Sequence, residues 1–176
     1  MDDTERLFRL YHAPLVRYLT RRLGDRDWAE EVAQETFLRA LRQAQHGTLA
    51  NERSWLFAVA TNLIRDEARK DARRRQHLTL LAEESRDAHA PAADDALERA
   101  QEQAVARRAL EVLDERDRNA LLMREEGLDY QEIAAALELS VGSVGTTLSR
   151  ARKRLVEAYE ALQGQKRGAG ARDVAG

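Results

Sequence analysis

The stretch Leu128 to Leu155, L-D-Y-Q-E-I-A-A-A-L-E-L-S-V-G-S-V-G-T-T-L-S-R-A-R-K-R-L, decides the reading of the chain. It predicts two helices joined by a tight turn. Asp129 caps the first, and Glu132 follows at the spacing of a capping box. Ile133, Ala134 and Leu137 fall on one face. Ser140 caps the second helix through the free amides of its first turn. Val141, Val144, Leu148 and Leu155 form its inward stripe, with Ser143, Thr146, Thr147, Arg150, Lys153 and Arg154 on or near the other side. A short helix, a turn and a longer helix with early hydroxyls and late positive charge match a helix-turn-helix. Its N-terminal end would meet base edges in a major groove, and its basic end would meet phosphates. The plainer alternative is a helical hairpin in an all-helical core, its basic end favoured by the helix dipole.

The composition suits that reading. The chain has 176 residues, 43% hydrophobic and 34% charged, with few aromatics (5%) and two prolines. Its net charge of −2 means that nucleic-acid binding must come from local patches. Cysteine is absent, which excludes disulfides and thiolate metal sites. No apolar run reaches spanning length, and the start, M-D-D-T-E-R, is unlike a secretory signal. The expected location is cytoplasmic.

Upstream, Thr4 to Leu23 reads as an amphipathic helix with Leu7, Leu10, Tyr11, Leu15, Tyr18 and Leu19 inward. Gly24 ends it. A second helix, capped by Asp27 with Glu30 in the capping-box position, runs to about Ala44 and buries Val32, Ala33, Phe37, Leu38 and Leu41. A loop containing Gly47 leads to a third helix, Glu52 to Arg75, apolar in its first half and basic in its second. The pattern then breaks through Pro91 into an acidic, alanine-rich linker, with a helical turn expected near Leu78 to Leu81. A helix from Asp95 to Leu113, with Leu97, Ala104, Leu110 and Leu113 inward, and one capped by Asp114 precede the helix-turn-helix. Beyond Leu162, glycines and scattered charges predict a frayed tail.

Three blocks now resemble the extracytoplasmic-function sigma factors of bacterial RNA polymerase. A-E-E-V-A-Q-E-T-F-L-R-A-L-R, Ala29 to Arg42, is similar to the family's polymerase-binding helix. S-W-L-F-A-V-A-T-N-L-I-R-D, Ser54 to Asp66, with the basic run to Arg75, resembles its promoter-melting helix. V-L-D-E-R-D-R from Val112, G-L-D-Y-Q-E-I-A from Gly127, V-G-S-V from Val141 and S-R-A-R-K-R-L from Ser149 resemble its DNA-reading domain.

The resemblance implies an all-α chain of two small helical domains. A three-helix region 2-like bundle spans residues 1–75, and a flexible linker spans 76–93. A four-helix region 4-like domain with the helix-turn-helix spans 94–162, before a disordered tail, 163–176. It implies core-polymerase contacts at Glu31, Gln34, Glu35, Leu38 and Arg42, facing the largest-subunit coiled coil, and a further contact with the flap. The downstream (−10) element, once melted, would meet Thr48, Asn51, Trp55, Asn62, Arg65, Asp66, Arg69, Arg73 and Arg74. The loop Gly47 to Asn51 is where the family captures a base turned out of its stack. The upstream (−35) duplex would meet Ser140, Ser143, Thr146, Thr147, Arg150, Lys153 and Arg154. The linker, reaching roughly 60 Å at ~3.3 Å per residue, would thread near the template and RNA path. An anti-sigma protein is an implied partner; cofactors are not.

Plainer roles stay open beside these: core packing for Trp55, a backbone hydrogen bond for Asn62, solvated faces for the arginine run and for Glu31, Gln34 and Glu35. The chain also departs from the family. Glu138 stands where the turn usually has Gly, Gly145-Thr146-Thr147 where a Lys-Ser-Arg type triplet is usual, and Thr61 where an Arg commonly precedes the Asn. No residue set makes an active site: His12, His46, His77 and His89 are dispersed, and no glycine run cradles phosphate. Two other functions compete. One is a sigma mimic that binds an anti-sigma factor. The other is a stand-alone helix-turn-helix regulator, which leaves the first two blocks unexplained.

Overall fold

The computed structural model describes residues 2–78 and 94–173, without the side chains of 69, 70, 72–78 and 171–173. Residues 79–93 of the linker expected over 76–93, with Pro91, and the side chains of Arg69, Arg73 and Arg74 therefore lie outside the described residues. Among those described, the chain forms seven helices and no strand. They are α1 (Asp3–Leu23), α2 (Arg26–Ala44), α3 (Glu52–Leu78), α4 (Asp94–Val112), α5 (Glu115–Glu125), α6 (Tyr130–Leu137) and α7 (Val141–Asp173).

The first three helices form a bundle. Leu15, Tyr18 and Leu19 of α1 meet Leu56 and Phe57 of α3, all fully buried. The Tyr18 and Phe57 rings sit tilted at 5.1 Å. Tyr18 must satisfy a hydroxyl inside this core. The Thr61 hydroxyl donates to the Phe57 carbonyl at 2.7 Å, so the Tyr18 hydroxyl, 2.8 Å from Thr61 Oγ1, donates to it. Burial, the dominant effect, pushes the Tyr18 phenol up to about 12. Thr61 is thus an inward position, which accounts for a small hydroxyl there instead of a long cation.

The second half packs α4 and α5 against α7, with α6 bridging α5 and α7. Met123, Leu128, Ile133, Val144 and Leu148 form its fully buried centre. The two halves also touch: α3 lies on α6, and α1 on α5, so the apolar core is continuous from Leu7 to Leu148.

Several sequence expectations are corrected. α2 starts at Arg26, capped by Asp25, whose carboxylate accepts from the Trp28 amide at 3.2 Å. Glu30 closes no capping box and instead meets His12 at 3.2 Å. The three-four spacing of Ala29, Val32, Ala33, Thr36, Phe37 and Ala40 fills the α2 contact, leaving Leu38 and Leu41 exposed beside it. Leu10, Leu97 and Val141 are exposed as well, and so is Ala104. In place of a frayed tail after Leu162, α7 continues to Asp173 through Gly164, Gly168 and Gly170. Helix α4 braces it there, with Lys166 donating to Gln101 at 2.9 Å.

Replacing Tyr18 by Phe removes one donor while Thr61 keeps its Phe57 acceptor. The loss in urea unfolding should be about 1 kcal/mol, with helicity unchanged.

Candidate nucleic-acid interface

Local capping builds the helix-turn-helix. The Asp129 carboxylate accepts from the Glu132 amide at 2.8 Å, and the Glu132 carboxylate accepts from the Asp129 amide at 3.1 Å. That closes both halves of the capping box at α6. At its other end Glu138 adopts the left-handed conformation, φ 55°, and its amide reaches the Ala134 carbonyl. The turn therefore has the backbone that favours glycine, held here by a glutamate at some conformational cost. Ser143 ties the start of α7, its hydroxyl donating to the Ser140 carbonyl at 2.8 Å.

Helix α7 sorts the expected upstream contacts into two groups. Ser140, Thr146, Lys153 and Arg154 are exposed, and Ser143 is half-buried. Thr147 is only 4% exposed, which corrects its placement on the outer side. It lies three residues after Val144 and four before Ala151, so the helical period turns it into the core with them. Ser149, three residues after Thr146 and exposed, takes a place on the outer face that the sequence reading missed. The same i, i+3 spacing could have found it.

Arg150 is drawn inward. Its guanidinium donates twice to Asp117, at 2.6 and 3.0 Å, and Asp117 has no exposed surface. Arg154 reaches Asp114 at 3.2 Å and lies 3.7 Å from Asp117. The Arg150 hydrogen bonds hold the Asp117 carboxyl below its ordinary range, against the opposing effect of burial. This fork fastens the recognition helix to α5.

The expected downstream contacts gather around the start and middle of α3. Thr48 and Asn51 are exposed on the loop, and Asn51 has φ 55°. Its carbonyl accepts from the Trp55 amide at 3.0 Å, so the loop delivers its last residue as the start of α3. Asn62 and Asp66 are exposed one turn apart, while Trp55 is half-buried against the core. Arg65 donates to Glu115 of the other half at 2.8 Å. Burial disfavours the Glu115 charge, but Arg65, Arg22 and Arg118 together outweigh it and lower the carboxyl.

A third face lies on α2. Glu31, Gln34 and Arg42 are exposed, and Glu35 accepts from Arg39 at 3.0 Å. Leu38 and Leu41 stand beside them, 46% and 39% exposed. Phe8 adds a ring stacked on His12 at 4.3 Å. Among the described residues, no cluster of His, Cys, Asp or Glu could hold a metal, and no helix is long and apolar enough to cross a membrane.

Asp117→Ala should lower stability by about 2 kcal/mol at neutral pH, the scale of lost charged hydrogen bonds. A depressed carboxyl contributes above its unfolded value near 3.9 and loses that contribution as pH falls through the folded value. The gap between wild type and variant in urea unfolding should therefore close as pH falls below about 4.

The comparisons with known proteins agree with this layout. The sigma-70 region 2 family model matches residues 7–74, and the sigma-70 region 4 model matches residues 103–155. The RNA polymerase sigma factor YlaC of Bacillus subtilis is 30% identical over 163 residues, covering 88% of this chain and 90% of that protein. The ECF RNA polymerase sigma factor SigE of Mycolicibacterium smegmatis is 32% identical over 146 residues, covering 82% of this chain and 57% of that one. A crystal structure of the sigma factor RpoE with the anti-sigma factor NepR, from Bartonella quintana, matches with a TM-score of 0.69 at 25% identity. It covers 91% of this chain and 98% of RpoE. On its sequence, its helices and its relatives, this chain belongs to the extracytoplasmic-function RNA polymerase sigma factors of the sigma-70 family.

Proposed function

We propose that this sigma factor binds core RNA polymerase through the exposed face of α2 and directs initiation by reading two promoter elements, one with each half. The observation that carries the reading is the paired exposure of Asn62 and Asp66 on α3 and of Thr146 and Lys153 on α7. Each set is polar and stands on a helix whose opposite side is core.

The α2 face joins carboxylates and Gln34 to Leu38 and Leu41, which suits a partner helix that is basic and partly apolar. The coiled coil of the polymerase's largest subunit is the proposed occupant, with the flap as a second contact for the C-terminal half. Asn62 offers a donor and an acceptor to an unpaired base, and Thr48 and Asn51 flank a base turned out of its stack. Arg65, Arg69, Arg73 and Arg74 are proposed to hold phosphates of the melted strand. On the upstream duplex, Ser140, Ser143, Thr146, Lys153 and Arg154 take the direct contacts. Arg150 supports them by fixing α7 to Asp117. An anti-sigma protein is a further proposed partner, supported by the similarity to RpoE, whose structure contains NepR.

Transcription in vitro with core polymerase over a pooled promoter library tests the whole. Alanine at Glu31, Gln34 and Glu35 together should weaken core binding at unchanged helicity; unchanged affinity would overturn the α2 assignment. Asn62→Ala should lower open-complex formation at the selected promoter and leave duplex binding alone.

Gly145 separates stability from recognition. A Cβ there would meet Tyr130 Cε2 at 3.5 Å, an ordinary contact. Gly145→Ala should therefore stabilise the chain by up to about 1 kcal/mol with little change in the salt dependence of duplex binding. Gly145→Lys should steepen the slope of log affinity against log salt by about one, the mark of one more neutralised phosphate.

A further inference from the structure

The loop between α2 and α3 has few ties of its own. Residues 45–51 are exposed except Leu49, which is half-buried against the core. At one end the His46 amide donates to the Gln43 carbonyl at 2.9 Å, and at the other the Trp55 amide donates to the Asn51 carbonyl at 3.0 Å. Thr48 and Asn51, the proposed base contacts, therefore take their positions from Leu49 and from the first turn of α3. Asn51 stands there at φ 55°, a left-handed conformation that costs a non-glycine residue energy and persists where neighbours hold it.

The next residue supplies the hold. The Arg6 guanidinium of α1 forks onto the Glu52 carboxylate, Nη1 donating to Oε2 at 3.1 Å and Nη2 donating to Oε1. The Glu52 side chain is 24% exposed, against 80% for Asp3, which lies 3.9 Å from Arg6 Nε. Glu52 is thus the sheltered partner of Arg6. A bidentate fork fixes direction as well as distance, so it sets the orientation of the first residue of α3 relative to α1.

The residues that follow Glu52 face the C-terminal half. Arg53 forks onto the Glu132 carboxylate at 2.6 and 2.8 Å, and the Ser54 hydroxyl donates to the Glu132 carbonyl at 2.9 Å. Other ties across that seam also join arginines of the N-terminal half to acids of the C-terminal half: Arg65 donates to Glu115 at 2.8 Å, and Arg17 to Glu126 at 3.1 Å. Arg6 and Glu52 both belong to the N-terminal bundle, so their fork does not depend on the seam.

We infer that Arg6, through its fork to Glu52, positions the loop 47–51 for capture of the turned-out base. It is a positioning residue and touches no base itself. The inference rests on the assignment of that loop to base capture. Turning a base out costs unstacking energy, which is recovered only if the receiving groups already stand in place. Such groups must be held to within about 0.5 Å, and the fork from α1 supplies that constraint at the end of the loop where Asn51 stands.

The test titrates holoenzyme, assembled on core polymerase, with single strands carrying the downstream element of the promoter selected from the pool. Each of the four bases, and an abasic sugar, is placed in turn at the position where Thr48→Ala with Asn51→Ala most lowers base preference. Arg6→Ala should lower the preference for the best base over the other three at least fivefold and leave affinity for the abasic strand unchanged. Glu52→Gln should do the same. The double variant should lose no more than either single one, because both act through one fork. Arg6→Lys keeps a charged bond without the fork and should recover part of the preference. Exposed ion pairs add little to stability, so helicity and the urea midpoint should stay close to wild type. Equal weakening on every strand, abasic included, would reveal a merely structural pair and overturn the inference. Intact preference in Arg6→Ala, or losses that add in the double variant, would overturn it as well. A different failure is the absence of any position that answers to Thr48 and Asn51: it removes the loop assignment, and this inference with it.

Discussion

One carboxylate, that of Glu132, constrains both halves of the protein. It closes the capping box that starts α6, and it receives the fork of Arg53 from α3. A capping carboxylate needs one oxygen for the amide of Asp129, and an Arg fork takes both. Oε1 serves the amide and one guanidinium nitrogen together, and Oε2 takes the other. The orientation of the helix-turn-helix and the closure of the molecule are therefore set by the same group. Local folding of α6 presents the acceptor already aimed, so little side-chain freedom remains to be lost when the halves meet.

Inside each half, packing depends on helical period. Val144, Thr147, Leu148 and Ala151 make one inward stripe on α7, and Asp117 anchors the adjoining face through Arg150. The recognition helix is thus held on two sides, by apolar contact and by a fork to a buried carboxylate. A reading surface on such a helix keeps its geometry without depending on the loop residues around it.

The fold was largely legible in the sequence because its signals are local. The capping box at Asp129 and Glu132, the stripe of Ile133 and Ala134, and the apolar first half of α3 lie within a turn or two of each other. The misreadings were local too. Asp25 and Asp27 lie two residues apart at the start of α2, and backbone geometry made the first the cap and placed the second inside the first turn. Thr147 carries a hydroxyl, but the period decides its direction. The closure was not legible. Its partners are separated by 50 to 109 residues, in a chain with 29 basic and 31 acidic side chains. Composition offers hundreds of possible pairs, and only the packed helices choose among them.

The choice of arginine at the seam between the halves has a consequence for what can control it. A guanidinium keeps its charge throughout the biological range. The arginine side of the seam cannot be neutralised by a change of a unit or two around neutrality, and arginine is not subject to the acetylation that silences lysine. The cationic side of the joint is therefore deaf to protons, and what competes with it is another anion or a partner with enough surface to displace it. The seam's arginines are thus tuned to the company of other anions more than to the acidity around them.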